Sequence, residues 1–125
     1  MNYFLEPINI AEWNLFKEVC DYCYEESFYA TKEMKSGDMI IFYIIKDDDK
    51  VPDGIYGNAI IIKNPYMVDS KRYMVDVKIK YIRFDEPIIS FDLCKQYLKQ
   101  FRSVHKIESD IMVRLMKTSL ASIVI

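Results

Sequence analysis

Aromatic side chains dominate the segment from residue 22 to residue 31, and such rings could bind a flat heterocycle. The segment carries four rings, two acids and no clear period: Tyr22, Tyr24, Glu25, Glu26, Phe28 and Tyr29. Loops are usually polar, so a connecting loop this rich in rings is unusual. With Tyr43 and Tyr66, the rings would offer a nucleobase stacking contacts worth roughly 1–3 kcal/mol each. The alternative is that they close the core of a small barrel, and residue types alone leave both open.

Basic residues form two groups that could contact phosphates. One surrounds the third apolar run of the chain, and the other follows in the last third of the sequence: Lys63, Lys71, Arg72, Lys78, Lys80 and Arg83, then Arg102, His105 and Lys106. Either group could equally be a solvated face. The chain has 17 Lys and Arg against 19 Asp and Glu, a formal charge of -2. Binding to nucleic acid would therefore depend on a local basic patch and a base pocket, not on overall charge.

No other pattern in the sequence favours catalysis or metal binding. Structural zinc needs four ligands, but the only histidine is His105 and the thiols are Cys20, Cys23 and Cys94. The C-x-x-C pair falls at the C-terminal end of a predicted helix, where the helix dipole disfavours a thiolate. Neighbouring acids such as Glu25 and Glu26 are typical of a solvated face. The residues predict no metal site, no cofactor and no catalytic centre.

The composition predicts a single folded domain over residues 1–125. Half of the chain is hydrophobic, at 51%, which suffices for a sizeable core. We find no pattern typical of a signal peptide or membrane span, so no membrane partner is expected. Three cysteines without framework spacing indicate reduced thiols, and we expect a cytoplasmic location.

The apolar run Met39–Ile45 predicts a central strand buried on both faces, because it contains no polar residue and is rich in β-branched and aromatic side chains. The turn Ser36-Gly37-Asp38 introduces it. A second run over residues 55–62 is predicted to be its antiparallel neighbour. Gly57 interrupts that run, which indicates a bulge or a close approach to the backbone.

Periodicity predicts the remaining elements. The N-terminal part gives a short strand at Tyr3-Phe4-Leu5, ended by Pro7, and a helix over about residues 10–21. Strict alternation over residues 73–82 predicts a strand with Tyr73, Val75, Val77, Ile79 and Tyr81 on one face and Asp76, Lys78 and Lys80 on the other. The C-terminal part predicts a helix capped by Ser90, a helical turn or two from Ser109 or Asp110 to Met116, and an apolar tail over residues 119–125 as an edge strand.

Taken in order, several short motifs resemble the EVE family, small PUA-like domains related to the YTH readers of methylated adenine. The motifs are Met1-Asn2-Tyr3-Phe4-Leu5, Glu12-Trp13-Asn14-Leu15-Phe16-Lys17, Met34-Lys35-Ser36-Gly37-Asp38 with the strand after it, Gly54-Ile55-Tyr56-Gly57, Pro65-Tyr66 with the segment Tyr73-Met74-Val75-Asp76-Val77-Lys78-Ile79, and Leu115-Met116-Lys117-Thr118-Ser119-Leu120. The resemblance implies an α+β fold, a PUA-like, EVE-type bent mixed β-barrel with flanking helices. Where the family usually carries a Trp after the first helix, this chain has Tyr22-Cys23-Tyr24.

The resemblance also implies a function: a non-catalytic module that binds nucleic acid, modified DNA or RNA, and holds a modified or flipped base in an aromatic pocket. The expected pocket residues are Tyr22, Cys23, Tyr24, Tyr43, Asn58 and Tyr66, and the expected phosphate contacts are Lys78, Lys80, Arg102, His105 and Lys106. One alternative is a small-molecule or protein-interaction domain on the same barrel. A hydrolase is a further alternative, although no nucleophile–base pair is visible.

Overall fold

The computed structural model describes residues 1–9, 25–45, 52–69, 72–83 and 86–120. Its strands are β1 (Tyr3–Asn9), β2 (Glu25–Tyr29), β3 (Met39–Ile45), β4 (Gly54–Ile61), β5 (Tyr66–Met67), β6 (Tyr73–Ile82), β7 (Ile89–Ser90) and β8 (His105–Ile107). Its helices are α1 (Phe91–Cys94) and α2 (Ser109–Leu120). None of the helices in these ranges is long and apolar enough to cross a membrane. The helix predicted over residues 10–21 lies outside the described residues.

The strands form one mixed sheet with the order β2-β6-β4-β3-β1-β8, to which β5 adds on β6 and β7 on β4. The β1–β3 pair is parallel, and the other described pairs are antiparallel. This confirms the expected α+β fold with flanking helices. In the described part of the chain the sheet is open, because the path ends at β2 on one side and at β8 on the other.

The central strand is buried on both faces, as its sequence predicts. Ile40, Phe42 and Ile44 join one apolar cluster, which we call the interior cluster, together with Phe4, Ile8, Met34, Tyr56, Ala59, Ile61, Val75, Val77 and Ile79. Alternate residues of β3 point the other way, into a second cluster beneath α1 and α2: Ile41, Tyr43 and Ile45, with Leu5, Ile55, Ile89, Cys94, Leu98, Ile107, Met112 and Leu115. The second cluster is called the helix-side cluster below. β3 therefore separates the two halves of the core.

The turn before β3 joins three strands through the buried carboxylate of Asp38. Its two oxygens accept hydrogen bonds from the backbone N–H groups of Asn2 and Lys35, each at 3.0 Å. Its own carbonyl accepts from the N–H of Ile61 at 2.9 Å, and the N–H of Gly37 donates to the carbonyl of Ile61 at 2.8 Å. Gly37 has a φ of 93°, which glycine adopts without strain. The turn thus fixes the start of β1 and β3 against the end of β4.

Gly57 is a position of close backbone approach, as its place inside an apolar run indicates. A Cβ at this position would collide with the carbonyl oxygen of Tyr81 and lie 2.6 Å from Cδ1 of Ile82. The β3–β4 register shifts between Phe42 and Tyr43, and the β4–β6 register shifts between Asn58 and Ala59. These irregularities increase the local twist and bend the sheet around the interior cluster.

The register shift after Asn58 changes one prediction about β6. Val75, Val77 and Ile79 face the interior cluster, while Lys78 and Lys80 are exposed on the opposite face, as predicted. The predicted place of Tyr81 on the interior face is wrong, because Tyr81 pairs with Asn58 and is 53% exposed. Ile82 packs against the interior cluster instead.

The first strand continues beyond Pro7 to Asn9, so the prediction that Pro7 ends it is wrong. The carbonyl of Asn2 accepts a hydrogen bond from the N–H of Met39 at the start of β3. Because the backbone groups of successive strand residues point to opposite sides, the odd-numbered residues of β1, including Pro7, direct theirs toward β8. β8 pairs only with Tyr3 to Leu5. Because the pairing with β8 reaches only to Leu5, the N–H group that Pro7 lacks would have had no β8 partner, and no hydrogen bond of the sheet is lost.

Two other segments form strands that the sequence does not reveal. Residues 25–29, predicted as part of an aromatic loop, form the edge strand β2 along β6. Residues 105–107, within a polar basic segment, form β8 along β1. Both are short edge strands, whose pairing depends on distant residues more than on their own pattern.

The C-terminal helices differ in length from the predictions. The Oγ of Ser90 accepts from the N–H of Leu93 at 3.4 Å, which confirms the cap, but α1 has only four residues. α2 runs from Ser109 to Leu120 and is longer than the predicted one or two turns. Ser119 and Leu120 are helical, so the predicted edge strand cannot begin there, and residues 121–125 lie outside the described ranges.

We expect Asp38→Ala to lower the free energy of unfolding by about 2–4 kcal/mol, because two backbone N–H groups lose a charged acceptor. The matched control is Asp38→Asn, whose single amide oxygen accepts at one position only and should restore about half of the loss. Urea unfolding at neutral pH measures both variants. Equal stability of Asp38→Ala and the unmodified chain would show that the turn does not depend on this carboxylate.

Candidate functional site

The predicted pocket residues fall into three different settings. Tyr22, Cys23 and Tyr24 lie outside the described residues. Tyr43 is 0% exposed in the helix-side cluster, where its ring stacks on Phe101 with the centroids 4.8 Å apart. Its hydroxyl donates to Oδ2 of Asp53 at 3.4 Å, and burial raises its pKa. Tyr43 is thus enclosed by the core.

Asn58 and Tyr66 lie nearer to solvent. Asn58 is half-buried and is in register with Ile41 on one side and Tyr81 on the other, so it shares the sheet face of the helix-side cluster. Tyr66, on β5, is 39% exposed and donates from its hydroxyl to Oδ1 of Asp76 at 2.7 Å. Tyr43 is therefore shielded from solvent, whereas Tyr66 is exposed to it.

A buried carboxyl group on β1 lies on the other face of the sheet. Glu6 is two residues from Phe4 and two from Ile8, so it points with them toward the interior cluster. It is only 2% exposed, and across the described ranges its Oε2 has no hydrogen-bond partner. A charged-type side chain in such surroundings is rarely left unpaired in a folded protein.

The surroundings of Glu6 are aromatic and aliphatic. Its strand partner in register on β3 is Phe42, and the ring of Phe28 from β2 lies 5.1 Å from the Phe42 ring, tilted by 51°. Val104, just before β8, packs on the same cluster. We call Glu6, Phe28, Phe42 and Val104 the β1-edge site.

The β1-edge site lies beside the end of the β1–β8 pairing. β8 pairs with β1 only as far as Leu5, so Glu6 is the first residue of β1 without a β8 partner in the described part of the chain. β2, at the opposite end of the sheet, supplies Phe28 to the same place.

Burial raises the pKa of Glu6 well above its usual range, because desolvation disfavours the ionised form. An uncharged carboxyl group offers one O–H donor and a carbonyl acceptor side by side. Leaving a buried polar group unpaired costs about 1–3 kcal/mol. A ligand that pairs with both atoms of this group would recover that cost.

The predicted basic residues lie in two places. Lys78 and Lys80 are exposed on the face of β6 opposite the interior cluster. Arg102 and Lys106 are exposed next to or within β8, and Lys106 is in register with Phe4. His105 is half-buried, and its Nδ1 lies 2.8 Å from the carbonyl oxygen of Ser103.

These cations differ from two arginines in the described part of the chain, because the two arginines form ion pairs. Arg72 and Arg83 pair with Asp69 and Glu86, at 3.0 and 2.6 Å. Within the described ranges, by contrast, no carboxylate lies within ion-pair distance of Lys78, Lys80, Arg102 or Lys106. Lys106, in register with Phe4, lies across from the part of β1 that precedes Glu6.

The described residues contain no cluster of three or more metal-ligating side chains. Cys94 is a free thiol buried in the helix-side cluster, and burial raises its pKa to about 12. It therefore behaves as a small apolar side chain. Cys20 and Cys23 lie outside the described residues.

The EVE domain model matches residues 3–113. The chain belongs to the EVE domain family. The match covers every strand of the described sheet and the β1-edge site. No curated protein matches the chain.

Solved structures share this fold at low sequence identity. Human THYN1, in complex with DNA containing 5-methylcytosine, superposes with a TM-score of 0.70 at 15% identity, over 95% of this chain and 98% of that one. The N-terminal domain of Thermococcus gammatolerans McrB bound to m5C DNA gives 0.60 at 14% identity over 100% of both chains. The YTH domain of mmi1, in a complex with RNA, gives 0.59 at 10% identity over 97% of this chain and 82% of that one. These matches establish the fold of the EVE domain.

The residue that sequence reasoning missed is Glu6. The signal was present, because strand alternation places Glu6 on the same face as Phe4 and Ile8, both apolar. A charged residue on an apolar stripe is informative, since such residues are seldom buried without a partner. The depth of burial, however, depends on an interior cluster whose members are distant in sequence.

We expect the contribution of Glu6 to the stability of the domain to fall as pH rises above the ordinary Glu pKa, and Glu6→Gln to remove this pH-dependent contribution. Below the ordinary Glu pKa of about 4.3, Glu6 is protonated in both states and contributes no pH dependence. Above it, the unfolded chain releases the proton while folded Glu6 retains it, so unfolding is favoured by up to about 1.4 kcal/mol per pH unit.

Urea unfolding of the wild-type chain and of Glu6→Gln at pH 4.5, 5.5 and 6.5 measures this effect. The quantity that decides is the difference between the two free energies of unfolding at each pH. A difference that stays constant over this interval would show that folded Glu6 is ionised.

Proposed function

We propose that this EVE domain is a non-catalytic nucleic-acid reader that holds a modified or flipped base at the mouth of its open sheet. The base stacks on aromatic rings and presents its polar edge to the interior. Exposed lysine and arginine side chains hold the adjoining phosphates. No covalent bond changes, and the domain acts from a cytoplasmic location.

One observation carries the proposal: a buried carboxyl oxygen of Glu6, in register with Phe42, has no hydrogen-bond partner in the described part of the chain. Apolar packing alone gives no reason to keep a carboxyl group there. A heterocycle with a polar edge matches this combination, because its faces need rings and its edge needs hydrogen-bonding groups. Membership of the EVE family and the shared fold support the same class of ligand.

The proposal assigns roles to individual residues. Tyr22 and Tyr24 would stack on the base from the segment that leads into β2, with Cys23 between them. Asn58 and Tyr66, on the opposite sheet face, would contact the strand outside the base slot. Tyr43 has no role in this proposal, because it is enclosed by the helix-side cluster.

A protein-interaction role is the second candidate, and one observation favours it. Tyr66, Met67 and Val68 form an exposed apolar segment at the β5–β6 hairpin. Exposed apolar residues in sequence are a common feature of interaction sites. Salt dependence separates the two functions, because binding through phosphates weakens steeply as salt rises.

The base-stacking role predicts that the double variant Tyr22→Ala, Tyr24→Ala loses more than about 2 kcal/mol of binding free energy, since stacking contributes roughly 1–3 kcal/mol per base. Fluorescence anisotropy with modified and unmodified DNA and RNA oligonucleotides measures the loss. Tyr81→Ala is the matched control, because Tyr81 is exposed on the opposite sheet face. Unchanged affinity of the double variant, with two-state melting preserved, would remove these rings from the site.

The phosphate role predicts a change in the salt dependence. Removing one cation that touches a phosphate of a single-stranded ligand should reduce the slope of log K against log salt by about 0.7. We therefore expect Lys106→Gln and Lys78→Gln to bind more weakly at low salt and to give shallower slopes. Lys117→Gln, at the end of α2, is the control for a general change in charge. Equal slopes for all variants would contradict phosphate binding at these positions.

A further inference from the structure

We propose that the outer edge of β2 is a docking site for an extended basic segment of another protein, which adds to the sheet as one more antiparallel strand. β2 is the terminal strand at one end of the sheet, and among the described strands it pairs only with β6. The ligand of this edge is a peptide and not a nucleic acid, so this role goes beyond the proposed function and can be tested without any oligonucleotide.

The backbone hydrogen bonds show which residues of β2 face away from the sheet. The N–H of Ala30, directly after β2, donates to the carbonyl of Tyr73 at 3.0 Å. On the other side of β6, the carbonyl of Asp76 accepts from the N–H of Ile62 at 3.0 Å. Odd-numbered residues of β6 therefore bond to β2, and even-numbered residues of β2 bond back to them. The backbone groups that are directed away from β6 belong to Glu25, Ser27 and Tyr29.

This edge has the properties of a strand to which another strand can add. β2 has five residues without proline or lysine, and its register with β6 contains no shift. β8, at the other end of the sheet, has only three residues and includes Lys106. Short length, lysine, proline and bulges are the features that protect edge strands from further pairing. Of the two ends of the described sheet, β2 is thus the one that suits strand addition.

The charge of β2 determines the class of partner. Its first two residues are Glu25 and Glu26, and it contains no basic residue. Lys or Arg at the two positions opposite these acids would stabilise an added strand. Antiparallel pairing of β2 with a second copy of itself would instead bring four carboxylates into one short ladder, which is unfavourable. The acids therefore select a basic segment of another protein over a second copy of this chain.

Phe28 determines a third position of the partner. Its side chain is half-buried and packs against the interior cluster, and it is in register with Val75 of β6. An apolar residue opposite Phe28 would extend this packing beyond β2. An antiparallel partner thus has an apolar residue opposite Phe28, any residue opposite Ser27, and basic residues opposite Glu26 and Glu25. From its N-terminus, the partner has the order apolar, any, basic, basic.

The probe is a synthetic peptide with the core Thr-Val-Thr-Lys-Lys, capped at both ends. Val is placed opposite Phe28, and the second Thr opposite Ser27. The control peptide has the reversed core Lys-Lys-Thr-Val-Thr, which has the same composition and charge but suits a parallel strand. Fluorescence anisotropy gives the dissociation constants, and amide hydrogen exchange of the full chain identifies the backbone groups that the peptide contacts.

We expect an alternating pattern of amide protection along β2. At a peptide concentration about tenfold above the dissociation constant, the amides of the outward-directed residues should exchange about tenfold more slowly. These residues are Glu25, Ser27 and Tyr29. The amide of Phe28, which already bonds to β6, should not respond. Only an added strand produces this alternation, because side-chain contacts do not distinguish successive N–H groups.

Backbone changes isolate the new hydrogen bonds. N-methylation of the second Thr removes the N–H that bonds to the carbonyl of Ser27, whereas N-methylation of Val removes one that points away from β2. The first change should weaken binding about tenfold, the effect of one to two backbone hydrogen bonds, and the second less than about threefold. Ser27→Pro removes the matching N–H of β2 without removing a bond to β6, and it should also bind the peptide about tenfold more weakly.

The preference for a basic partner is tested by the double variant Glu25→Gln, Glu26→Gln. It should bind the probe about fivefold more weakly at low salt, the effect of two exposed ion pairs, and depend less on salt than the wild-type chain does. The matched control is Glu33→Gln, Glu108→Gln, which changes the net charge by the same amount at two exposed positions outside β2.

Several results would overturn the docking site. Slow exchange of the amides of Glu25, Ser27 and Tyr29 in the free chain would show that the edge is already occupied. Protection that appears as the chain concentration rises would identify a second copy as the partner. No protection at the highest soluble peptide concentration, equal binding of the two N-methylated peptides, or equal binding of the reversed core would exclude an antiparallel strand.

Two further outcomes have a clear meaning. If Ser27→Pro does not unfold in a two-state urea transition, the N-methylated peptides decide the question, because they leave the protein unchanged. Equal affinity of the Glu25→Gln, Glu26→Gln variant and its control would overturn the choice of a basic partner. Loss of oligonucleotide binding would refute the proposed function and leave this docking site in place, whereas failure of the peptide experiments would leave the proposed function in place.

Discussion

Burial of β3 on both faces is the constraint on which the rest of this structure depends. A strand without polar side chains is stable only if apolar surface covers each side, because exposed apolar area costs roughly 25 cal/mol per Å². The interior cluster covers one side through β1, β4 and β6, and α1 and α2 cover the other through the helix-side cluster. The order of the strands and the position of the helices satisfy this single requirement.

The same constraint explains where the candidate site lies. β1 carries Glu6 on its interior face and pairs with the central strand, where Glu6 is in register with Phe42. Polar groups are costly inside such a cluster, and Glu6 is the carboxyl group found there. The candidate site therefore lies on the interior face of β1, next to the central strand.

The net charge of the chain and the local distribution of its cations have different consequences for binding a polyanion. The chain as a whole is slightly acidic, at a formal charge of -2, so long-range attraction to a polyanion is weak. Local cations without ion-pair partners in the described ranges, such as Lys106 and Lys78, offer short-range contacts instead. Any binding of a polyanion by this EVE domain would therefore depend on local contacts and not on the net charge of the chain.

The sequence by itself determined the elements whose pattern is local. The apolar run of β3 and the alternation of β6 define both strands at their observed bounds, and the Gly37-Asp38 turn and the close approach at Gly57 follow from their residue types. Only the tertiary structure decided what depends on distant partners. The strands β2 and β8 exist because β6 and β1 supply their hydrogen bonds, and the interior cluster that Glu6 faces is assembled from strands distant in sequence. Side-chain periodicity is encoded by neighbours in sequence, whereas pairing and depth of burial are set by residues that meet only when the chain folds.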